Sequence, residues 1–290
     1  MPDTAVVTKP CVVCASTRRT AALDLGSWRV LRCSGCGLRT LDPEPAAEDL
    51  VEVFDDGSIY EGAFTLRSDI MARHDETLAA LEKRVRPGAL LDVGCGPGFF
   101  LEAARARGWR ATGVDPSPFS VEHVKKLGFE AHQGLLHDVD LPEASFDAVA
   151  LLQVVEHLID PRALLEGCRK LLKPGGVLLV ATPNPSSLLA RVQKERFNYW
   201  IPPVHCVWYT PKTLKRILST AGFTGVQVNT WSARAQGQHD GLTALLSTKL
   251  AGLIPSRAHW TAAGAVAGFA DAIGAGTIVE ATAIRPEDRT

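Results

Sequence analysis

The sequence predicts an α/β fold, a doubly wound and mostly parallel sheet behind a small four-cysteine ribbon, on three observations. Short apolar runs alternate with amphipathic segments across residues 89–184, joined by short links, as strands and crossover helices do. The first run, Leu90 to Val93, enters a turn with three alternating glycines, Gly94, Gly96 and Gly98, and leaves it as an apolar-periodic segment: buried strand, tight loop, helix. Ahead of this stand two C-x-x-C pairs.

With 290 residues, 46% of them hydrophobic, the chain can bury one substantial core plus a small appendage. Its formal net charge of −1 provides no global field to recruit nucleic acid or an anionic membrane, although local basic patches remain open. Residues 1–10 hold no apolar signal-peptide core and no uninterrupted apolar run reaches spanning length, so a cytoplasmic location is expected. There, the seven cysteines are expected as ligands or buried thiols rather than disulfides.

Cys11 and Cys14 form the first pair, Cys33 and Cys36 the second, about 18 residues on, which is the spacing of a four-thiolate zinc ribbon. Trp28 to Arg32 alternates like a strand leading into the second pair, and Gly37 relieves the backbone after it. A closed four-sulfur site leaves no open coordination position, so the zinc is expected to be structural. Arg18, Arg19, Arg29, Arg32 and Arg39 keep an RNA contact in view, but acids are interspersed and a solvated face is the plainer reading. Leu41 to Pro45 is a stiff break, an acidic amphipathic stretch follows, and Phe64 to Val85 has a helical pattern closed by Pro87 and Gly88. Tyr60 precedes that helix and is a candidate to close over a bound molecule.

The glycine corner removes Cβ atoms where a ligand must approach the main chain, and the following helix offers unpaired N–H groups. Pro97 suits the first helical turn. A dinucleotide-type corner would carry a third glycine where Phe99 stands. Arg110 to Asp115 is the second strand, and its terminal acid, about 20 residues beyond the glycines, is placed to accept hydrogen bonds from two ribose hydroxyls. Glu130 to Gly134 makes the third strand. Phe146 to Gln153 makes the fourth, nearly continuous in apolar residues as expected for a strand buried on both faces. Val177 to Ala181 is the fifth, Thr210 to Gly222 a helix, and Phe223 to Trp231 and Thr277 to Ile284 the last strands.

The segments LLDVGCGPG, ATGVDPS, SFDAVALLQVVEHLIDP and LLKPGGVLLVATPN, in this order and spacing, resemble the motifs of class I S-adenosylmethionine-dependent methyltransferases. The N-terminal ribbon further resembles a subgroup frequent in bacterial glycan, deoxysugar and secondary-metabolite pathways. The resemblance implies a seven-stranded class I methyltransferase fold with an antiparallel strand at the sheet edge, with a ribbon over 1–42, a linker and helical cover over 43–87, and a methyltransferase domain over 88–290 carrying a helical insertion at about 235–275. It implies S-adenosylmethionine bound by Asp92, Gly94, Cys95, Gly96, Gly98, Asp115, Pro116, Leu135 and Gln153, with Tyr60 closing over it. Many members carry an acid beside adenine where this chain has Gly134 and Leu135, so adenine recognition falls to backbone groups there.

Because the sulfonium carries an activated methyl and leaves as a neutral thioether, the protein needs a base only if the acceptor must lose a proton. His157, just beyond the fourth strand, and His205, on the loop after the fifth, stand where one could act near neutral pH. Capping and packing is the other reading of His157. Phe197, Tyr199, Trp200, Trp208 and Tyr209 crowd the same loop, as an apolar acceptor wall or as core. The expected reaction is methyl transfer to oxygen or carbon of a sugar, glycan precursor or natural-product intermediate, by a monomer or homodimer without nucleic acid. The alternative is an rRNA or tRNA base methyltransferase gripping RNA through the ribbon. Residues 241–255 and 260–273 are apolar, and a lid, a dimer face or attachment to a lipid-linked acceptor are their candidate uses.

Overall fold

A computed structural model describes residues 4–6, 9–45, 64–232 and 268–288. Tyr60, the acidic stretch before it and the apolar segment over 233–267 lie outside the described residues. Four strands come first, β1 (Thr4–Val6), β2 (Arg18–Asp24), β3 (Arg29–Cys33) and β4 (Arg39–Asp42), then helix α1 (Arg67–Leu81). The alternating core follows as β5 (Ala89–Val93), α2 (Phe99–Ala106), β6 (Arg110–Asp115), α3 (Pro118–Lys126), β7 (Glu130–Gln133), β8 (Phe146–Leu152), α4 (Arg162–Leu171) and β9 (Leu172–Pro183). The remainder is α5 (Leu188–Gln193), β10 (Val207–Trp208), α6 (Pro211–Thr220), β11 (Thr224–Trp231) and β12 (Ile278–Ile284).

Seven strands form the main sheet in the order β11-β12-β9-β8-β5-β6-β7. β5 to β9 pair in parallel, and β12 runs antiparallel to both β9 and β11. The antiparallel strand is therefore not at the edge, as the sequence suggested, but inserted one position in, with β11 outside it. The residues account for this: β12 is almost wholly buried, while β11 alternates exposed and half-buried positions as an edge strand does. The helix starts and turns follow local chemistry. Ser117 caps α3 by accepting from Ser120 N, and Thr210 and Thr213 cap α6 reciprocally. Pro97 is not in the first turn of α2, because the left-handed Gly98 (φ 83°) is the residue at the cap and the helix begins at Phe99.

The ribbon shares a sheet with the larger unit. β10, a two-residue strand from the loop after β9, pairs antiparallel with β4, matching Val207 with Thr40 and Trp208 with Arg39. Leu41 N also donates to Cys206 O at 2.8 Å. Cys11, Val13, Val30, Leu38 and Leu41 lie in the same buried cluster as Val149 and Leu178 of the main sheet and Cys206 to Tyr209 of the loop.

Candidate active site

Strand order reverses between β5 and β8, and the carboxyl ends of these two strands open the crevice where doubly wound sheets take ligands. On the β5 side, Gly94, Gly96 and Gly98 all hold positive φ, 74°, 49° and 83°. A Cβ at Gly94 would stand 2.7 Å from Val154 Cγ2, and one at Gly98 2.9 Å from Val124 Cγ2. Two of the glycines are thus required by packing against the protein itself as well as by backbone conformation. The Cys95 thiol packs inward, in a buried cluster with Leu101 and Val121, so only the backbone of that residue can serve a ligand.

Gly96 N donates to Asp115 Oδ2 at 2.8 Å and Ser117 N to Oδ1 at 2.9 Å, which ties the acid at the end of β6 to the glycine corner. Burial raises the Asp115 pKa and these N–H donors oppose the rise. Each oxygen keeps a further lone pair for a hydroxyl. Asp92 is buried at the end of β5, its Oδ1 has no hydrogen-bond partner, and burial, then the Asp115 charge, push its carboxyl up to about 8. An orphan buried oxygen beside a positive-φ turn is a position that a polar ligand completes. Leu135 is 44% exposed, and its N–H donates to Asp138 Oδ2 at 3.3 Å. Pro116 is half-buried beside Asp115, and Gln153 is exposed, with φ 58°. A non-glycine residue held there is a strained position of the kind found at functional sites.

On the β8 side the structure brings the two predicted histidines together. Their rings meet edge to face at 4.9 Å. His157 Nδ1 is 2.8 Å from Val204 O and His205 Nδ1 is 3.0 Å from Tyr199 O, so each Nδ1 carries the proton and donates it. Burial, then the neighbouring His157, hold His205 down at about 4, and burial lowers His157 against the pull of the Val204 and Gln153 carbonyls. The expectation of a histidine titrating near neutral pH is corrected accordingly: burial keeps His205 neutral there. Glu156 completes the group, with ligand atoms of Glu156, His157 and His205 all within 4.8 Å of one another. Its Oε2 accepts from Thr182 Oγ1 at 2.9 Å, its Oε1 is buried without a partner, and burial pushes its carboxyl up to about 8. Sequence reasoning passed over Glu156. Its position next to His157 at the end of a buried strand was the available signal. Of the aromatic loop, Phe197, Trp208 and Tyr209 are core, while Tyr199 and Trp200 remain half-exposed.

In the ribbon, Cys11 Sγ is 3.6 Å from Cys36 Sγ and Cys14 Sγ is 3.5 Å from Cys33 Sγ, and all four lie within 4.8 Å of one another. These are not disulfide distances. Tetrahedral zinc with bonds of about 2.3 Å would space its sulfurs by about 3.8 Å, so the four thiols fit such an ion.

A family model described as a methyltransferase domain matches residues 66–228, the span that holds the glycine corner, Asp115, both histidines and the aromatic loop. The chain belongs to this methyltransferase family. The methyltransferase is 33% identical over 153 residues to a ubiquinone biosynthesis O-methyltransferase of Idiomarina loihiensis, covering 48% of this chain and 63% of that protein. It is 32% identical over 167 residues to the enzyme of that name from Caulobacter vibrioides, covering 53% and 66%. The matches therefore span just under two thirds of those relatives' own lengths. Among solved structures, an S-adenosylmethionine-dependent methyltransferase of Thermotoga maritima, described as a possible histamine N-methyltransferase, superposes with a TM-score of 0.58 at 19% identity, over 82% of this chain and 99% of that one. One from Archaeoglobus fulgidus gives 0.55 at 22% identity, over 79% and 100%. These likenesses show the fold.

Proposed function

We propose that the methyltransferase transfers the methyl group of S-adenosylmethionine to an oxygen of a small-molecule acceptor, in the class of sugars, glycan precursors and natural-product intermediates, with His205 receiving the acceptor's proton. The observation that carries this reading is the buried histidine pair at the carboxyl end of β8, with each Nδ1 proton directed at a backbone carbonyl. Oxygen is favoured over carbon by the names of the relatives, O-methyltransferases.

The donor, when bound, supplies a methyl on a sulfonium that departs as a neutral thioether. Asp115 would hold the ribose hydroxyls, the Gly94 to Gly98 turn and Asp92 would border the methionyl end, and Pro116 and Leu135 would flank adenine, with the backbone at Cys95 and Gln153 beside the crevice. His205 Nε2 would take the proton that the acceptor oxygen loses as it is methylated. A base held at about 4 is weak against a resting hydroxyl. It suffices once the carbon–oxygen bond is forming, because the hydroxyl acidifies as its oxygen turns cationic. Cys11, Cys14, Cys33 and Cys36 would hold one structural zinc ion.

The test joins equilibrium binding of S-adenosylhomocysteine to labelled methyl transfer into hydroxyl-bearing metabolite pools, for the wild type, His157→Ala and His205→Ala. Loss of turnover with His205→Ala at unchanged homocysteine-product affinity is expected. Unchanged turnover in both variants removes the base.

A further inference from the structure

Among the described residues, cations gather without an ion-pair partner where the ribbon meets the methyltransferase loop. Arg32 and Arg39 are directly opposed across β3 and β4, and Trp208 is opposed to Arg39 across β4 and β10, so all three side chains share one sheet face. Like charges in opposed positions destabilise a sheet. The described ion pairs of the ribbon, Lys9 with Glu44 and Arg29 with Asp42, leave both arginines out. Arg39 Nη1 is buried and has no hydrogen-bond partner. Burial, then Arg32 and Arg191 of α5, hold its guanidinium below the ordinary arginine pKa. On α5 also, Gln193 Oε1 is buried without a partner.

The cluster borders the acceptor loop. Arg39 Cζ lies 6.0 Å over the Trp200 ring, Trp200 meets Trp208 edge to face at 4.8 Å, and Trp208 Nε1 donates to Tyr199 O, the same carbonyl that receives the His205 proton. A buried guanidinium donor without an acceptor, set among like charges, is costly until an anion arrives. The planar fork of arginine suits a phosphate or carboxylate.

We infer that Arg39, with Arg32 and Arg191 around it, forms an oxyanion subsite beside the acceptor loop, and that the acceptor is an anionic small molecule carrying a phosphate or carboxylate group. This rests on the proposed function, which places the acceptor at His205, beside the half-exposed Tyr199 and Trp200. A single buried donor in a seam fits one oxyanion better than the run of exposed phosphates that an RNA strand presents.

The test uses the full chain loaded with zinc and saturated with S-adenosylhomocysteine, titrated with inorganic phosphate, pyrophosphate, benzoate and a single-stranded oligoribonucleotide, and followed by tryptophan fluorescence. Arg39→Gln should weaken binding of the preferred small anion about tenfold, the loss of one charge-assisted contact. Arg191→Gln, at an exposed helix position that the fold does not need, should weaken it about threefold. Both should leave homocysteine-product affinity unchanged, and Arg39→Lys should recover part of the loss. Preference for the two phosphates or for benzoate tells the phosphate source from the carboxylate one. Equal binding by wild type, Arg39→Gln and Arg191→Gln, or no binding of any small anion, overturns the subsite. If Arg39→Gln fails to fold, Arg191→Gln alone decides it. Tighter binding of the oligoribonucleotide, steeply salt-dependent and lost in Arg39→Gln, overturns the small-molecule acceptor in favour of RNA. His205→Ala separates the two readings: it should abolish turnover and leave anion binding intact, and unchanged turnover sinks the base without touching the subsite.

Discussion

Glu156→Gln should flatten the alkaline side of the stability profile. Glu156 is fully buried, with Thr182 Oγ1 donating to one oxygen at 2.9 Å and nothing to the other, and burial raises its carboxyl from 4.5 to about 8. The folded protein keeps this proton over a range in which the unfolded chain has lost it. A raised folded pKa gives a contribution that is complete below the unfolded value and is lost as pH climbs through the folded one. The gap of about 3.5 pH units, at about 1.4 kcal/mol each, sets a ceiling of about 5 kcal/mol on the loss between pH 4.5 and about 8. Relaxation and water entry in the charged form bring the expected figure to roughly 2–4 kcal/mol. Glutamine keeps a carbonyl for Thr182 and never ionises. In urea unfolding at a series of pH values, the variant should differ from the wild type by a constant offset below about pH 4 and gain on it by that margin by about pH 9. Asp92, also raised to about 8, gives a slope of the same sign in both proteins and cancels from the difference. Parallel curves for the two proteins would refute the assignment of a buried, protonated Glu156.

Because burial and His157 hold His205 near 4, methyl transfer should show no acid limb at the ordinary histidine value of 6.5 and should decline only as pH approaches about 4. In the same initial-rate assay, His205→Ala should lower kcat by about 100-fold or more. Asp115→Ala should raise the donor Kd about tenfold or more, since it removes the ribose acceptor, and lower the melting temperature, since Gly96 N and Ser117 N lose theirs. Calorimetry showing an unchanged Kd would move the ribose elsewhere. Chelation, or Cys36→Ser, should release about one zinc ion per chain and abolish turnover while S-adenosylhomocysteine still binds. A parallel loss of donor binding would tie the ribbon to the wrong half of the site.

What the sequence disclosed divides along sequence distance. Gly94 to Gly98 and Asp115 were legible because strand, turn and acid follow within one β-α-β unit, where local periodicity and turn chemistry are strong signals. The four cysteines were legible because metal chelation fixes their spacing. The seating of β12 between β9 and β11 was not, since both strands alternate and only the finished sheet decides which one is covered. Nor was the state of the histidines. His157 and His205 are 48 positions apart, and burial against one another, which no linear pattern carries, sets the charge they hold. Glu156 was hidden for the same reason: an acid beside a histidine reads as a solvated pair until Thr182, from the next strand, is found donating to it.

The ribbon is connected to the histidine side of the crevice by main-chain bonds. Cys206 N donates to Glu156 O at 2.9 Å, and Leu41 N donates to Cys206 O at 2.8 Å, so a backbone relay runs from the end of β8 through the loop into β4. β4 in turn pairs with β3, whose last residue is Cys33, one of the four thiols. Nothing comparable among the described residues joins the ribbon to Gly94 to Gly98 or to Asp115, whose bonds run to one another, to β6, to Glu102 of α2, to Ser117 and to Gly134. A metal in the four-cysteine site would therefore stiffen the strand against which the loop of His205, Trp200 and Trp208 is laid, while the donor corner, built within one β-α-β unit, would keep its shape without it. That asymmetry is why ribbon damage should separate methyl transfer from donor binding.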